Sequence, residues 1–391
     1  MQFASAISNA VTTDQALEQV LGELSVQLGN GADLGFIFAT MEHAGGFETI
    51  YRRLYGVLGM RTIVGCTCGG VIGVRRELEG GAGLSVLAGA MPGAVIEPFS
   101  SDRLDWPEIG NDPARLRQSL TEQSDVQAVL LLADPFSTPM AKLLPTLGQA
   151  FPHVPVIGGM ASAARESGRN RLIIDGQVLT QGAIGLIISG AVSVHTTVSQ
   201  GCRSVGRPLV ITKAKRHVVQ ELGGGNALAT LQQTIAQLDL ADQQLVQSGG
   251  LFVGRVINEY KSRFGPGDFL VRELIGVDPD QGYLAIGDPQ VRMGQTIQFH
   301  VRDQLSATED FTMLLQAQRV HGEAEGALLF TCNGRGANLF DQASADACMI
   351  HEALGEVPLA GFFAAGEIGP IGSASYVHGH TASLVVFRSG L

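Results

Sequence analysis

Short apolar runs alternate along this chain with longer segments in which apolar residues recur at helical spacing. The same order occurs three times: an apolar strand, a helix-length segment, a second strand that contains glycine, and a further apolar strand. The three copies cover residues 35–90, 128–190 and 326–387. Such self-similarity predicts a fold assembled from repeated β-α-β-β units.

The distance between the first and second strands of each copy supports this repeat. Phe36 precedes Gly65 by 29 residues, and Val129 precedes Gly158 by 29 residues as well. In the third copy the corresponding distance is 34 residues. A connection of this length has room for one helix, which a parallel crossover requires. We therefore predict an α/β fold with mixed β-sheets and helices packed on them.

Helix and hairpin signals occupy much of the remaining chain. Residues from Thr13 onward are typical of an N-capped amphipathic helix, and residues 346–354 of a helix that a following glycine closes. Residues 308–320 predict another helix, with Ser306 as its cap. Residues 208–222 predict a hairpin of two strands.

The second repeat ends close to the start of this hairpin, so we place a domain boundary there. The prediction is two related domains: residues 1–210 with two copies of the repeat, and residues 211–391 with the third. A length of 391 residues agrees with two domains.

Composition and charge narrow the classes of partner. Hydrophobic residues make up 45% of the chain, and the net charge of −11 repels phosphate backbones, so we expect no nucleic-acid partner. The first ten residues lack the basic and apolar regions of a signal peptide, and no apolar run is long enough for a membrane span. Five cysteines, an odd number, suit a reducing compartment. We expect a cytoplasmic protein without membrane insertion.

The segment Gly65-Cys66-Thr67-Cys68-Gly69 has the frame of a nucleophile elbow, with Thr67 in the place of the nucleophile. An elbow needs a helix directly afterwards, but the residues that follow are rich in glycine and β-branched types, which are poor helix formers. A zinc site would need further cysteine or histidine ligands at suitable spacing. We interpret Cys66 and Cys68 as packing thiols, and we predict neither a metal nor a cofactor.

Glycine recurs at the end of the second strand in each copy, at Gly65, Gly159 and Gly366. Glycine lets a ligand or another backbone come close, and it exposes amide N–H donors. The three turns therefore predict a small-molecule pocket built partly from main chain. The alternative interpretation is that these glycines only permit tight turns and dense packing of the sheets.

The third copy adds side chains that the other copies lack. Arg335 stands between glycines in Cys332-Asn333-Gly334-Arg335-Gly336, where its guanidinium is a candidate to bind a carboxylate. Glu367 follows Gly366 and is a candidate to bind an amine. The alternative is a structural Arg335–Glu367 pair that joins the two loops. Two weaker candidates for the same pocket lie in the other copies: Thr67 and Asp134.

These segments together carry a family resemblance: the chain resembles FIST-domain proteins, with both the N-terminal and the C-terminal FIST regions. In the N-terminal region the resemblance rests on residues 64–67, 155–159 and 200–206. In the C-terminal region it rests on more segments, which occur in the family's order: residues 332–336, 358–363, 366–370 and 378–381.

The resemblance implies an intracellular module of signal transduction that senses a small polar metabolite, such as an amino acid. It brings no catalytic residue set, so we expect a binding protein rather than an enzyme. Because the chain has no recognisable output domain, a separate signalling protein would have to read its state. Two alternatives stay open: an enzyme that uses Cys332 or Thr67 as nucleophile, and a scaffold that binds no ligand.

Overall fold

The computed structural model describes residues 1–28, 31–104, 112–265 and 267–390. Its chain forms two compact units, one of Met1–Ser199 with Thr312–Leu391 and the other of Gln200–Phe311. The third repeat therefore belongs to the same unit as the first two. The first unit combines two separate stretches of the sequence, whereas the boundary predicted near residue 210 cuts the sequence once. That boundary stays a prediction.

Eight α-helices lie in the described ranges. Numbered along the chain, they are α1 (Thr13–Leu28), α2 (Phe47–Leu58), α3 (Pro113–Leu120), α4 (Met140–Ala150), α5 (Ala227–Ala236), α6 (Leu240–Gln247), α7 (Gln304–Gln318) and α8 (Ala345–Leu354).

The strand β1 (Gln2–Ser8) precedes the first repeat. The strands of that repeat are β2 (Leu34–Ala39), β3 (Thr62–Thr67), β4 (Gly70–Gly73), β5 (Arg76–Glu79) and β6 (Leu84–Ala90). The strand β7 (Ala94–Ser100) precedes the second repeat. The strands of that repeat are β8 (Val126–Ala133), β9 (Val156–Met160), β10 (Leu172–Ile174), β11 (Gln177–Leu179) and β12 (Ala183–Gly190).

The strand β13 (Val192–Ser199) is followed by the strands of the second unit: β14 (Arg203–Lys215), β15 (Val218–Leu222), β16 (Gly225–Asn226), β17 (Leu251–Val256), β18 (Phe269–Asp278), β19 (Tyr283–Ile286) and β20 (Thr296–Val301). The third repeat contributes β21 (Gly326–Cys332), β22 (Leu359–Ala364), β23 (Glu367–Ile371), β24 (Ala374–His378) and β25 (Ala382–Ser389).

Three six-stranded sheets with one common plan build the first unit. Their strand orders are β1-β6-β2-β3-β10-β11, β7-β12-β8-β9-β23-β24 and β13-β25-β21-β22-β4-β5. In each sheet the first and second strands of a repeat are parallel, and the last strand of the same repeat is antiparallel to the first. The predicted α/β class with mixed sheets and repeated β-α-β-β units is confirmed.

Each repeat gives its hairpin to the sheet of another repeat. The hairpin β4–β5 of the first repeat pairs with β22, the hairpin β10–β11 of the second with β3, and the hairpin β23–β24 of the third with β9. The three repeats thus complete one another in a cycle. A repeat without its neighbours would leave the edge of its second strand unpaired.

A shared core lies between the three sheets. Each of β2, β3 and β22 has six residues, and all of them are buried, as expected for strands covered on both faces. Phe38, Phe330 and Phe362 meet there with ring centroids 4.9 to 6.2 Å apart. On their other faces, the first and second sheets pack against helices through separate apolar clusters.

The glycine that recurs in the second strand has a packing role. A Cβ added at Gly65, Gly158 or Gly361 would overlap the carbonyl oxygen of the residue that it faces on the parallel neighbour strand. The glycine therefore permits a close approach of two backbones, and it does so at the same place in all three repeats.

The second unit is a seven-stranded antiparallel sheet with the order β14-β20-β17-β18-β19-β15-β16. The predicted hairpin of residues 208–222 is present as the antiparallel pair β14–β15. The helix predicted from residue 308 begins earlier, at Gln304. The cap is Asp303 rather than Ser306, since the Asp303 carboxylate accepts the backbone N–H of Ser306 at 2.6 Å.

Candidate functional site

The carboxyl ends of β3, β9 and β22 meet at one end of the first unit. Gly69, Ser162 and Ala365 follow these strands at equivalent positions, and we call them the strand-end ring. The Ser162 N–H donates to the Thr67 carbonyl at 3.2 Å, and the Ala365 N–H donates to the carbonyl of Met160 at 3.0 Å. Gly69 and Ala365 are exposed, so the ring lies at the protein surface.

The third link of this ring runs through a side chain. The Gly69 N–H donates to the Ser162 hydroxyl at 2.9 Å, and that hydroxyl donates in turn to the carbonyl oxygen of Phe363. Ser162 thus joins the strand ends of all three repeats. Ser162 was not among the residues predicted from the sequence, although its position in the second repeat is equivalent to that of Gly69 in the first.

Two predicted site residues, Thr67 and Asp134, are fully buried. The Thr67 hydroxyl accepts the Arg171 N–H at 2.8 Å, which ties β3 to the hairpin that pairs with it. The Asp134 carboxylate accepts from the Ser137 hydroxyl at 2.6 Å and from the Asn170 side-chain amide at 3.0 Å. Contacts inside the protein account for both side chains, and their assignment to a ligand stays a prediction.

Arg335 is fully buried, and its guanidinium forms a bidentate pair with Asp346 in the first turn of α8. Its Nε and Nη2 donate to the two carboxylate oxygens at 2.9 and 2.7 Å. The Thr331 hydroxyl donates to the same carboxylate at 2.7 Å, and Phe340 lies under the guanidinium. Asp346 was not among the residues predicted from the sequence, where its signal is an acidic residue at a helix start.

The hairpin of the first repeat is joined to this cluster. Glu77 accepts the Ala347 N–H at 2.8 Å, and burial, followed by the nearby Asp346 charge, raises the pKa of Glu77 to about 8. Glu79 accepts the Ala337 N–H at 2.9 Å. Gly336 lies against Glu79 with φ +55°, and a Cβ there would overlap that carboxylate. Gly336 therefore has a packing role between the two repeats.

Glu367 is fully buried at a strand position where the other two hairpins have apolar residues. It faces Gly159 across the sheet, and the equivalent positions are Val71 and Leu172. Its Oε2 accepts both the backbone N–H and the hydroxyl of Thr381, at 3.0 and 2.8 Å. A buried carboxyl in an apolar register position is the most unusual residue of this strand.

The pKa of Glu367 is raised to about 8, because burial outweighs the hydrogen bonds from Thr381, the charge of Arg335 and the hydrogen bond with Cys332. The group is therefore mostly protonated at neutral pH. The structure places Arg335 near Glu367, but the partner of the guanidinium fork is Asp346.

Cys332 and Asn333 lie between Glu367 and the strand-end ring. The Asn333 N–H donates to the Ala364 carbonyl at 3.1 Å, and its side-chain oxygen lies 3.3 Å from where a Cβ of Gly69 would be. Asn333 is exposed, and Cys332 is half-buried. We call Cys332, Asn333, Glu367 and His380 the third-repeat site.

His380 joins this site through Gly334. A Cβ built on Gly334 would lie 3.1 Å from the His380 Nδ1 and 3.7 Å from the Cys332 Sγ. The Gly334 N–H donates to that sulfur at 3.3 Å. His380 was not among the site residues predicted from the sequence.

Gly366 and Gly159 lie beside the third-repeat site but face inward. The Gly366 carbonyl accepts the Met160 N–H at 2.8 Å, and a Cβ on Gly366 would lie 3.1 Å from the Met160 sulfur. A Cβ on Gly159 would lie 2.9 Å from the ring of Phe362. Of the predicted residues, the structure brings together Cys332, Asn333, Glu367 and Gly366.

Within the described ranges, no three His, Cys, Asp or Glu side chains are grouped closely enough to hold a metal ion. Among the described helices, none has the length and apolar character needed to cross a membrane.

The fold and the site define a three-repeat α/β protein with a buried carboxyl of raised pKa near a surface ring of strand ends. The chain belongs to the FIST family: residues 33–225 match the FIST N domain, and residues 227–370 match the FIST C domain. FIST domains are associated with sensing in signal transduction.

Full-length relatives occur in mycobacteria. Two uncharacterized proteins, one from Mycobacterium tuberculosis and one from Mycobacterium bovis, are each 35% identical to this chain over 390 residues. These alignments cover 99% of this chain and 100% and 99% of the two relatives. Among solved structures, a cyanuric acid hydrolase from A. caulinodans matches with a TM-score of 0.37 and 8% identity over 100% of both chains. A likeness this distant carries no argument about this chain.

Proposed function

We propose that this protein is a sensory module that binds a small polar metabolite at the third-repeat site and signals through a separate partner protein in the cytoplasm. The observation that carries the proposal is Glu367, a fully buried carboxyl where the other repeats have Val71 and Leu172. Burying an ionisable group in an apolar position destabilises a fold, so such groups concentrate at functional sites.

The state of Glu367 suits a ligand that carries an amine. The carboxyl is mostly protonated at neutral pH, because burial raises its pKa to about 8. A ligand ammonium group would favour the carboxylate form, so binding would release a proton. In this proposal the exposed Asn333 amide would donate to the carboxylate of the same ligand. An amino acid has both groups, which makes amino acids the first class to test.

Arg335 has an indirect role in this proposal. Its fork is bonded to Asp346, so it would hold the loop that bears Cys332 and Asn333 rather than contact the ligand. Its charge also lowers the pKa of Glu367 relative to burial alone. The glycines near the site would let the ligand approach the strand ends.

The test is a thermal-shift screen of amino acids and related carboxylates with the wild type, Glu367→Gln and Glu77→Gln. A ligand at 100 times its Kd stabilises the native state by about 2.7 kcal/mol. We expect a dose-dependent rise in the wild type and in Glu77→Gln, and none in Glu367→Gln. Glu77 is the matched control, because burial raises its pKa to about 8 as well but it lies outside the third-repeat site.

The pH dependence gives a second readout of the same site. Because binding releases a proton from Glu367, the affinity for an amine-bearing ligand should increase between about pH 6 and about pH 8. A full response in folded Glu367→Gln, or no response to any compound in the wild type, would contradict the proposal and favour a scaffold.

A second candidate function is an enzyme with Cys332 as nucleophile. It is favoured by the position of Cys332, because the Cys332 sulfur and the His380 ring both lie next to Gly334. A base beside a half-buried thiol is the usual way to activate a cysteine. Alkylation by a mild reagent tests it: a Cys332 rate well above that of free cysteine, lowered by His380→Asn, supports the enzyme. A rate no greater than that of the other thiols excludes it.

A further inference from the structure

A cavity away from the third-repeat site is lined by a buried arginine, Arg388. Its volume is about 540 Å³, and it lies beside the paired strands β13 and β25 and the residues that follow α7. Its lining includes His195, His321 and Arg388. All three lie in the first unit of the chain. The cavity is large enough for a small metabolite.

Arg388 is the exception among the buried arginines of the described chain. Arg255 and Arg335 are buried as well, and each pairs with an aspartate. Arg388 is only 4% exposed, yet its hydrogen bonds go to neutral oxygens of Gln318 and Gly322. None of the ion pairs formed between described residues includes it.

Those neutral oxygens compensate the charge only in part. The carbonyls of Gln318 and Gly322 lie at and just beyond the C-terminus of α7, and a helix C-terminus is equivalent to roughly half a negative charge. Burial lowers the pKa of Arg388, because desolvation disfavours the charged form. A buried guanidinium needs a closer counter-charge to avoid a large desolvation cost.

Two histidines, His195 and His321, line the same cavity. The rings of His195 and His321 stack with centroids 4.0 Å apart. Burial, then His321 and Arg388, lower the pKa of His195. Within the described residues, nothing hydrogen-bonds to the buried Nδ1 of His195. A negative charge in the cavity would reverse these effects, since it favours the protonated imidazole.

The carboxylates of neighbouring elements are bound elsewhere. Glu325 accepts from Ser389 at 2.5 Å and lies 3.5 Å from the N-terminal ammonium of Met1. Asp125 accepts the Gly190 N–H at 3.2 Å. Neither is bonded to Arg388 or to the two histidines. The Arg388 guanidinium therefore lacks a carboxylate partner in the part of the protein that the structure describes.

We propose that this cavity binds a small anion whose carboxylate or phosphate group pairs with Arg388 and with the protonated imidazole of His195, against which the His321 ring stacks. The site is separate from the third-repeat site, and its pH dependence has the opposite sign. Binding takes up protons on imidazole, so the affinity falls as pH rises, by up to tenfold per pH unit for each imidazole that must be protonated.

The experiment is calorimetric titration of the full chain with inorganic phosphate and, separately, with succinate, at about pH 6 and about pH 8 and constant ionic strength. We expect saturable binding of at least one anion at the lower pH and at least tenfold weaker binding at the higher pH. The double variant His195→Asn, His321→Asn should lose it. The matched control is His217→Asn, an exposed histidine of the second unit, which should bind as the wild type does.

Arg388→Met tests the guanidinium directly, and the histidine variants decide the question if that variant does not fold. Tighter binding of phosphate or of succinate distinguishes the two ligand chemistries. An imidazole NMR titration should show the pKa of His195 rising when the anion is added. Equal heats in wild type and double variant, or only unsaturable effects at both pH values, would mean an adventitious ion only and would overturn the proposal.

Discussion

The Arg335–Asp346 pair allows a stability prediction that can be worked from the structure. Asp346→Ala removes the acceptor of two guanidinium hydrogen bonds and of the Thr331 hydroxyl. Both charged side chains have 0% exposure, so water does not replace the lost contacts. Arg335 is left as a buried charge whose partner is missing.

The expected loss follows from that burial. Removing one partner of a buried ion pair costs about 3–5 kcal/mol. Glu77 limits the loss, because the pKa of Glu77 is raised partly by Asp346 and falls when Asp346 is removed. An ionised Glu77 would then compensate part of the Arg335 charge. We therefore expect a loss near the lower end, about 3 kcal/mol.

Urea denaturation followed by circular dichroism measures this loss as a shift in midpoint at constant slope. The control is the double variant Arg335→Met, Asp346→Leu, which removes both charges and keeps apolar volume. It should be clearly more stable than Asp346→Ala, since no buried charge is left uncompensated. A loss below about 1 kcal/mol for Asp346→Ala, or a double variant no more stable than it, would refute the reasoning.

Two further predictions concern proton linkage and backbone packing. Burial raises the folded-state pKa of Glu77 and of Glu367 to about 8, so the native state binds more protons than the unfolded state between the unfolded value and pH 8. Stability should therefore fall as pH rises from about 5 to about 8, and each Glu→Gln variant should flatten that fall in chemical denaturation. Gly65→Ala should destabilise the fold by about 1–3 kcal/mol or more, because its Cβ would overlap the Ile37 carbonyl. Gly22→Ala, with open space in α1, should stabilise it by about 0.5–1 kcal/mol in thermal melts. An unchanged pH profile in both variants, or equal effects at the two glycines, would contradict these two arguments.

Much of the fold could be predicted from local pattern. The repeat order, the parallel first and second strands and the helix that ends at Gly355 all follow from residues close together in sequence. The start of α7 was predicted four residues late, because Asp303 competes with Ser306 as the cap. Both residues are good caps, and only the backbone path selects between them.

The candidate site was predicted less completely. Cys332, Asn333 and Glu367 were predicted because they lie in glycine-rich segments at the ends of apolar strands, and such a signal is visible in one sequence. Ser162 and Asp346 were missed, since each acts through a contact with a distant segment. Arg335 was expected to meet Glu367 or a ligand, but the first turn of α8 brings an aspartate closer.

By itself the sequence determined the α/β class, the threefold repetition and the unusual polar residues of the third copy. These depend on periodicity and on residue type, which are local properties. Only the tertiary structure decided which sheet each hairpin completes and which carboxylate pairs with Arg335. It also decided that Arg388 is buried without a charged partner among the described residues. Pairing across repeats depends on long-range packing, and three similar copies offer similar edges, so composition and spacing alone do not select the partner.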